Sequence, residues 1–469
     1  MELLINFSNF LWGWPLVIFM LIVAVALTVA TGAVQFRQFG YMLRTTFGKL
    51  FDKSGQGEGT IHPYQAAMAS IAGTVGIGNI AGVGLAIGLG GPGALFWLWV
   101  VSIFSMITKY SEVVLGVHYR EKDPVTGEYQ SGPMYYITKG LGSNWKWLAV
   151  LYAFMFGITY LVYSFVQSNT IAVAMTSMVG LEPLYTGIIL AVLASFVVFG
   201  GLQGLAKTAE KLVPIMTIIY FVSALIIIIG NIGRLPEVLA SVFTQAFTGS
   251  AAIGGFAGST VLMAVRHGFT RGVFSNDGGL GLGAVLHGTA ITTHPAKQGM
   301  WGIFEVFLDT DLVCTSTALV ILFSGVLDSG LSGLDLTSLA FATGLPTDWL
   351  GSVLICISVV LFGFTTILAD IYYCDFGLSY VFKKLRGKKF SNVIRVLCLI
   401  GIVWGAVGGL STVWGLADLV MAILIIINLP VVLAQVKTVG RLTKEFFGSG
   451  MHKKELEEEK ARKAQKQQA

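Results

Sequence analysis

Ala72-Gly73-Thr74-Val75-Gly76-Ile77-Gly78-Asn79-Ile80-Ala81-Gly82 stands in the middle of an otherwise apolar run from Pro63 to Leu89. Each glycine costs a helix about 1 kcal/mol relative to alanine, so the glycines at 73, 76 and 78, followed by an amide side chain, predict an interrupted helix. The run is long enough to span a ~30 Å hydrocarbon core, where a break is tolerated only if the freed N–H and C=O groups line a polar cavity. Freed N–H groups at a half-helix start can hold a carboxylate, and freed carbonyls can hold a cation. Gly78 and Gly82 also make a GxxxG, so close helix packing is the alternative reading.

The rest of the chain has the same character. Of 469 residues, 55% are apolar and 12% charged, and the mean hydropathy is +0.77. Soluble domains carry about 25% charged residues, which excludes a water-soluble enzyme and points to an all-α polytopic membrane protein. Eleven apolar runs predict eleven transmembrane helices, at about 10–34, 63–89, 93–118, 145–178, 185–199, 208–230, 236–265, 299–326, 349–376, 392–410 and 413–435. The four cysteines all fall inside such runs, so no disulfide is expected.

All of the 30 Lys and Arg residues except Arg234 and Lys109 fall on one face of this layout. That face is expected to be cytoplasmic, with the amino terminus outside, the carboxyl terminus inside, and a cytoplasmic loop between Phe274 and Gly299. Topology accounts for the net charge of +5, so no nucleic-acid partner is expected. The charged end from Lys453 reads as a solvated tail.

A second Gly-rich, hydroxyl-bearing stretch, Phe247 to Thr260, falls in the seventh run. Two interrupted spans at corresponding places in halves of opposite orientation point to a transporter built from inverted repeats. The expected organisation is an extra N-terminal helix and linker (1–62), a first five-helix repeat (63–231), a second inverted repeat (232–437) and a tail (438–469). Gln167, in the fourth run, can donate and accept and is a candidate substrate contact. Thr365 and Thr366, in the ninth, are neutral hard oxygen donors suited to a small cation, or else bond the preceding turn. Glu305, Asp309, Asp370 and Asp375 are expected to pair with Arg266, Arg271 or Lys297, and Lys109 with Glu112.

Gly76-Ile77-Gly78-Asn79 resembles the unwound first core helix of sodium-coupled amino-acid transporters of the leucine-transporter fold. Arg271-Gly272-Val273-Phe274-Ser275-Asn276-Asp277-Gly278-Gly279-Leu280-Gly281, continued by His294-Pro295-Ala296-Lys297-Gln298-Gly299, is similar to the RGxFSNEAGxG…HPxxQG signature of the alanine or glycine:cation symporter family. Asp277 stands where the family usually has Glu, Gly278 where it has Ala and Leu282 where Ser is common. The resemblance implies one helix ahead of a five-plus-five core, and symport of sodium with small neutral amino acids (alanine, glycine) into the cell by alternating access. It implies a sodium site from Ala72, Val75, Phe362, Thr365 and Thr366. It also implies a substrate site at Ile77, Gly78 and Asn79 for the carboxylate and near Thr74, Thr248 and Ser250 for the ammonium. Gly73, Gly76, Gln167, Phe247, Gly249 and Phe256 are expected beside them, and aromatic groups such as Phe247, Phe256 and Phe364 are expected to limit substrate size.

The expected partners are therefore a small neutral amino acid, Na+ and the bilayer of the plasma membrane. No cofactor beyond sodium as coupling ion is expected, and no catalytic residue. Proton coupling and, more remotely, a passive channel are the alternatives. An intramembrane enzyme built on His287, His294 and Asp277 is disfavoured because no HExxH or GxSxG occurs in a span.

Overall fold

The computed structural model describes residues 7–8, 10–49, 57–124, 127–248, 259–383, 385 and 387–457. Its principal helices are α1 (Trp14–Thr31), α2 (Pro63–Thr74), α3 (Gly78–Gly90), α4 (Gly93–Tyr119), α5 (Lys146–Val179), α6 (Pro183–Val198), α7 (Gly201–Gly230) and α8 (Leu235–Thr248). They continue with α9 (Val261–Asn276), α10 (Leu282–His287), α11 (Pro295–Ser324), α12 (Gly333–Gly344), α13 (Asp348–Val381), α14 (Lys388–Val407), α15 (Leu410–Ala434) and α16 (Val436–Gly448). Among the described residues, eight helices are long and apolar enough to cross a membrane, and α2 with α3, bent by 50°, makes a ninth. The fifth expected span is the 16-residue apolar helix α6.

Proline and hydroxyl groups set the helix starts. Pro63 occupies the first turn of α2, where its missing N–H costs nothing, and the Thr260 hydroxyl caps α9 by accepting from Met263 N at 3.2 Å. The outer faces of α6, α7 and α14 leave Val192, Phe196, Ile218, Ile229, Leu397 and Trp404 exposed, as a surface against lipid requires. The centre, between α2–α3, α5, α9 and α13, is aromatic: Tyr163 packs on Phe274 at 4.8 Å between ring centres, and Phe274 on Trp414 at 4.9 Å.

The seventh expected span, 236–265, is corrected at its far end. Helix α8 runs as far as Thr248, beyond which 249–258 lie outside the described residues. Helix α9 starts afresh at Val261 after extended backbone at Thr260 and runs beside α4 in the same direction. Gly268 lies against Ala94 and Trp97, Gly272 against Leu98 and Val101, Gly278 against Ser105, and Gly283 against Lys109. The helix therefore carries Arg266 and Arg271 into the bundle rather than into an exposed loop. Asp277 to Gly281 interrupt it beside the middle of α4, with Asp277, Gly279 and Gly281 all at positive φ, and α10 resumes beyond. Glycine is needed at 281, where φ is 81° and the Pro133 ring and the Tyr152 hydroxyl close in.

One end of the bundle is laced by backbone. Thr60 N donates to Thr289 O at 2.7 Å and Ile291 N to Ile61 O at 2.8 Å. The Arg120 guanidinium donates to the carbonyls of Gly288, Ala290 and Glu58 at 3.1, 2.8 and 2.7 Å. The start of α2 and the segment after α10 are thus tied together.

Candidate functional site

The first interruption lies at Val75–Gly76, where Val75 turns to ψ 93°. In a continuous helix the N–H groups of Gly76 and Ile77 would serve the carbonyls of Ala72 and Gly73. Here Gly76 N donates to Asn79 Oδ1 at 2.9 Å and Ile77 N to Gln167 Oε1 at 3.1 Å. Side-chain amides have thus taken the two donors, and the two carbonyls lose their usual partners. Beyond the break the chain enters a wide turn, Gly78–Gly82, with i→i+5 bonding; such turns occur often at functional sites. Thr317 Oγ1 donates to Asn79 O at 2.7 Å and Thr337 Oγ1 to Ile80 O at 3.1 Å, satisfying carbonyls there.

The second interruption sits directly against the first. A Cβ placed on Gly78 would come within 2.9 Å of the Phe274 ring. Asn79 Nδ2 donates to Asp309 Oδ1 at 2.7 Å, and Ser275 Oγ to Asp309 Oδ2 at 2.6 Å. Asp309, on a second widened turn, Phe307–Cys314, therefore joins the two broken helices through one buried carboxylate. The loop of the second break is held by Asn276 Oδ1 accepting from Gly278 N, by Glu112 accepting from Gly281 N at 3.0 Å, and by Asn428 donating to Gly279 O at 2.9 Å.

One helical turn from Asp309 is a second buried hub. Glu305 accepts from Lys109 Nζ at 2.8 Å, from Ser70 Oγ at 2.9 Å and from Thr74 Oγ1 at 3.0 Å, and contacts His287 Nε2 at 3.0 Å. Lys109 Nζ also donates to Asn276 O at 2.8 Å, at the end of α9 where a cation is favoured. Lys109 and Glu305 are both completely buried.

The family model described as "Sodium:alanine symporter family" matches residues 1–462. This chain belongs to the sodium:alanine symporter family. It is 37% identical to the transporter YflA of Bacillus subtilis over 95% of this chain and 93% of that one. It is 36% identical to the sodium/alanine symporter AgcS of Methanococcus maripaludis over 90% and 92%. It is 35% identical to the probable sodium/glutamine symporter GlnT of Bacillus subtilis over 94% and 89%. Among solved structures it is similar in fold to MhsT in complex with L-phenylalanine, with a TM-score of 0.57 at 13% identity over 85% and 90%. The chain is a multi-pass membrane transporter and not an enzyme.

Within this symporter the break residues Gly76, Ile77, Gly78 and Asn79 come together with Gln167. Gly73 faces Tyr373 and Ala369, and Thr74 bonds Glu305. The two threonines of α13 are separated by the fold. The Thr366 hydroxyl abuts Gly76 and donates to Phe362 O at 3.0 Å, whereas the Thr365 hydroxyl lies 3.3 Å from Met216 sulfur. Ala72, Val75 and Phe362 are buried at the same junction. Phe247 and Thr248, by contrast, are exposed at the end of α8, where Phe247 packs on Phe96 and Trp97. Gly249, Ser250 and Phe256 lie outside the described residues.

The charge pairs differ from those expected. Glu305 pairs with Lys109, leaving Glu112 to Gly281 and Asn428. Arg271 pairs with Asp418, Asp375 with Arg395 and Lys297 with Glu455. Both carboxylate oxygens of Asp370 are buried and unpartnered among the described residues. Ser275, assigned to a cytoplasmic loop, is fully buried. Ser275, Asn276, Asp309 and Thr317 were missed as site residues. No local signal marked them, since Arg266 and Arg271 argued for an aqueous loop around Phe274-Ser275-Asn276 and the partners of Asp309 lie on other helices.

Proposed function

We propose that this symporter carries small neutral amino acids, with alanine and glycine the best substrates, together with sodium into the cell. The observation that supports it most is the meeting of two interrupted helices at Gly78, Phe274 and Ser275, with backbone N–H groups held only by side-chain amides. Gln167 Oε1 stands where a substrate carboxylate oxygen would sit against Ile77 N–H. An entering carboxylate displaces it, and the N–H exchanges a neutral acceptor for a charged one, which is the stronger hydrogen bond. Gln167 can then turn its NH2 to the same carboxylate.

Carbonyls of Ala72 and Val75 with the Thr366 hydroxyl supply neutral hard oxygens for sodium, and the chemistry of that set fits the ion. Sodium bound there ties α13 to the broken helix and steadies the backbone that receives the amino acid. Each ligand thus favours the arrangement that the other needs, which is the thermodynamic content of coupling. Backbone groups cannot choose among amino acids, so side-chain size is set by the aromatic groups at the break, Phe274 and Tyr163, beside those expected at Phe256 and Phe364, whereas Phe247 is exposed. Glycine at 78 leaves that space, and overpacking it costs about 1–3 kcal/mol.

The reading includes eleven crossings, with α6 and the α9–α10 segment completing the count, an external amino terminus and a cytoplasmic carboxyl terminus. Purified protein in liposomes, with labelled alanine and an imposed sodium gradient, tests it. Sodium-driven, saturable uptake supports the reading. Uptake driven equally by a proton gradient without sodium would replace the ion, and non-saturating flux would indicate a channel.

A further inference from the structure

Helix α1 ends at Thr31, and Gly32 and Ala33 turn the chain through left-handed backbone. Helix α16 crosses this end closely enough that a Cβ on Gly440 would meet Ala30 O at 2.7 Å. Between them lies a pocket of about 370 Å³ whose wall includes Val29, Gly32, Arg37, Lys444 and Phe447, and no acidic residue. Arg37 uses one nitrogen on Gly32 O at 3.2 Å and is exposed. Lys444 is exposed and makes no ion pair among the described residues.

The surroundings say what such a pocket receives. Val29, in the last apolar turn of α1, is 76% exposed, and Phe36, next to Arg37, is exposed as well. Helix α16 is amphipathic: it buries Val439, Leu442 and Phe446 and turns Lys437, Arg441 and Lys444 outward. A basic amphipathic helix beside the end of an apolar span is the arrangement that sits at a membrane surface and attracts anionic headgroups.

We propose that the pocket between α1 and α16 holds one anionic phospholipid, with its phosphate between Arg37 and Lys444 and its acyl chains along Val29. The cationic walls select the charge, and the exposed apolar turn beside them selects a lipid over a soluble phosphate. A lipid there would bridge the first and last helices and fix α16 against the bundle.

Native mass spectrometry of the purified full chain, titrated with phosphatidylglycerol or phosphatidylethanolamine, tests the proposal. The parent should retain one phosphatidylglycerol in preference to phosphatidylethanolamine, and excess inorganic phosphate should not displace it. Retention should fall about fivefold for each charge removed in Lys444→Gln and Arg37→Gln/Lys444→Gln. Phosphatidylglycerol should raise the melting temperature of the parent and not of the double variant. Undiminished retention by either variant, equal retention of the zwitterionic lipid, or displacement by inorganic phosphate would each overturn it. Lys444 is exposed, so its single variant decides the matter if the double variant does not fold.

Discussion

Gln167 and Thr366 are the residues on which the proposed chemistry converges, and the structure separates each from a plausible neighbour. Gln167→Ala removes the NH2 that turns to the bound carboxylate, a change of about 0.5–1.5 kcal/mol, so the KM for alanine should rise about 2- to 12-fold. Gln167→Glu sets a negative charge against the incoming carboxylate and should abolish uptake while the protein still purifies as a monodisperse species. Thr366→Ala should shift sodium activation of uptake to higher concentration, whereas Thr365→Ala, whose hydroxyl faces Met216, should leave it nearly unchanged. Equal shifts in the two variants would remove Thr366 from the ion site. The glycines and Asn79 were legible in the sequence because polar backbone inside an apolar run is costly enough to need a reason. Asp309 and Ser275 were not, because a carboxylate satisfied by a serine and an amide from other helices looks, along the chain, like any other acidic residue.

At the scale of elements, the fold turns on where the second helix breaks. Gly249 to Gly258 offered glycine in a membrane-length run, and hydropathy alone favoured that stretch over one bearing Arg266 and Arg271. Residues 249–258 lie outside the described residues. The interruption that the structure does show, Asp277 to Gly281, follows a helix that holds Arg271 inside the bundle because Asp418 neutralises it and Trp414 covers it, with its guanidinium 4.9 Å from the ring centre. Partnering of this kind is tertiary and leaves no local trace. The Lys109–Glu305 pair follows the same rule and can be tested by stability. Glu305→Leu leaves the Lys109 ammonium buried without its carboxylate, which costs about 3–5 kcal/mol. Thermal unfolding in detergent should show a clear drop, and Lys109→Met added to Glu305→Leu should recover most of it. Transport should stay impaired in the double variant, since Ser70, Thr74 and Asn276 lose their common anchor to α4 and α11.

For the molecule as a whole, orientation is the property most directly measured. In a Cys356→Ser background, whose remaining cysteines are buried, Asp335→Cys and Lys388→Cys both sit at exposed positions. An impermeant thiol reagent applied to intact cells should label Asp335→Cys and spare Lys388→Cys, and the opposite pattern would invert the topology. Apolar length and basic bias made the membrane class and most helices readable, because both follow from the solvent that surrounds each segment. The closure of the chain on itself was not readable in that way. Trp12 Nε1 donates to Asp418 O at 2.9 Å, and α1 packs on α15 and α16, so α1 docks against helices made long after it. During synthesis α1 can meet α4 early, but its clasp with α16 waits until more than 400 further residues have followed it. A nascent chain released before α16 is complete would present α1 without that clasp to the membrane's quality-control proteases.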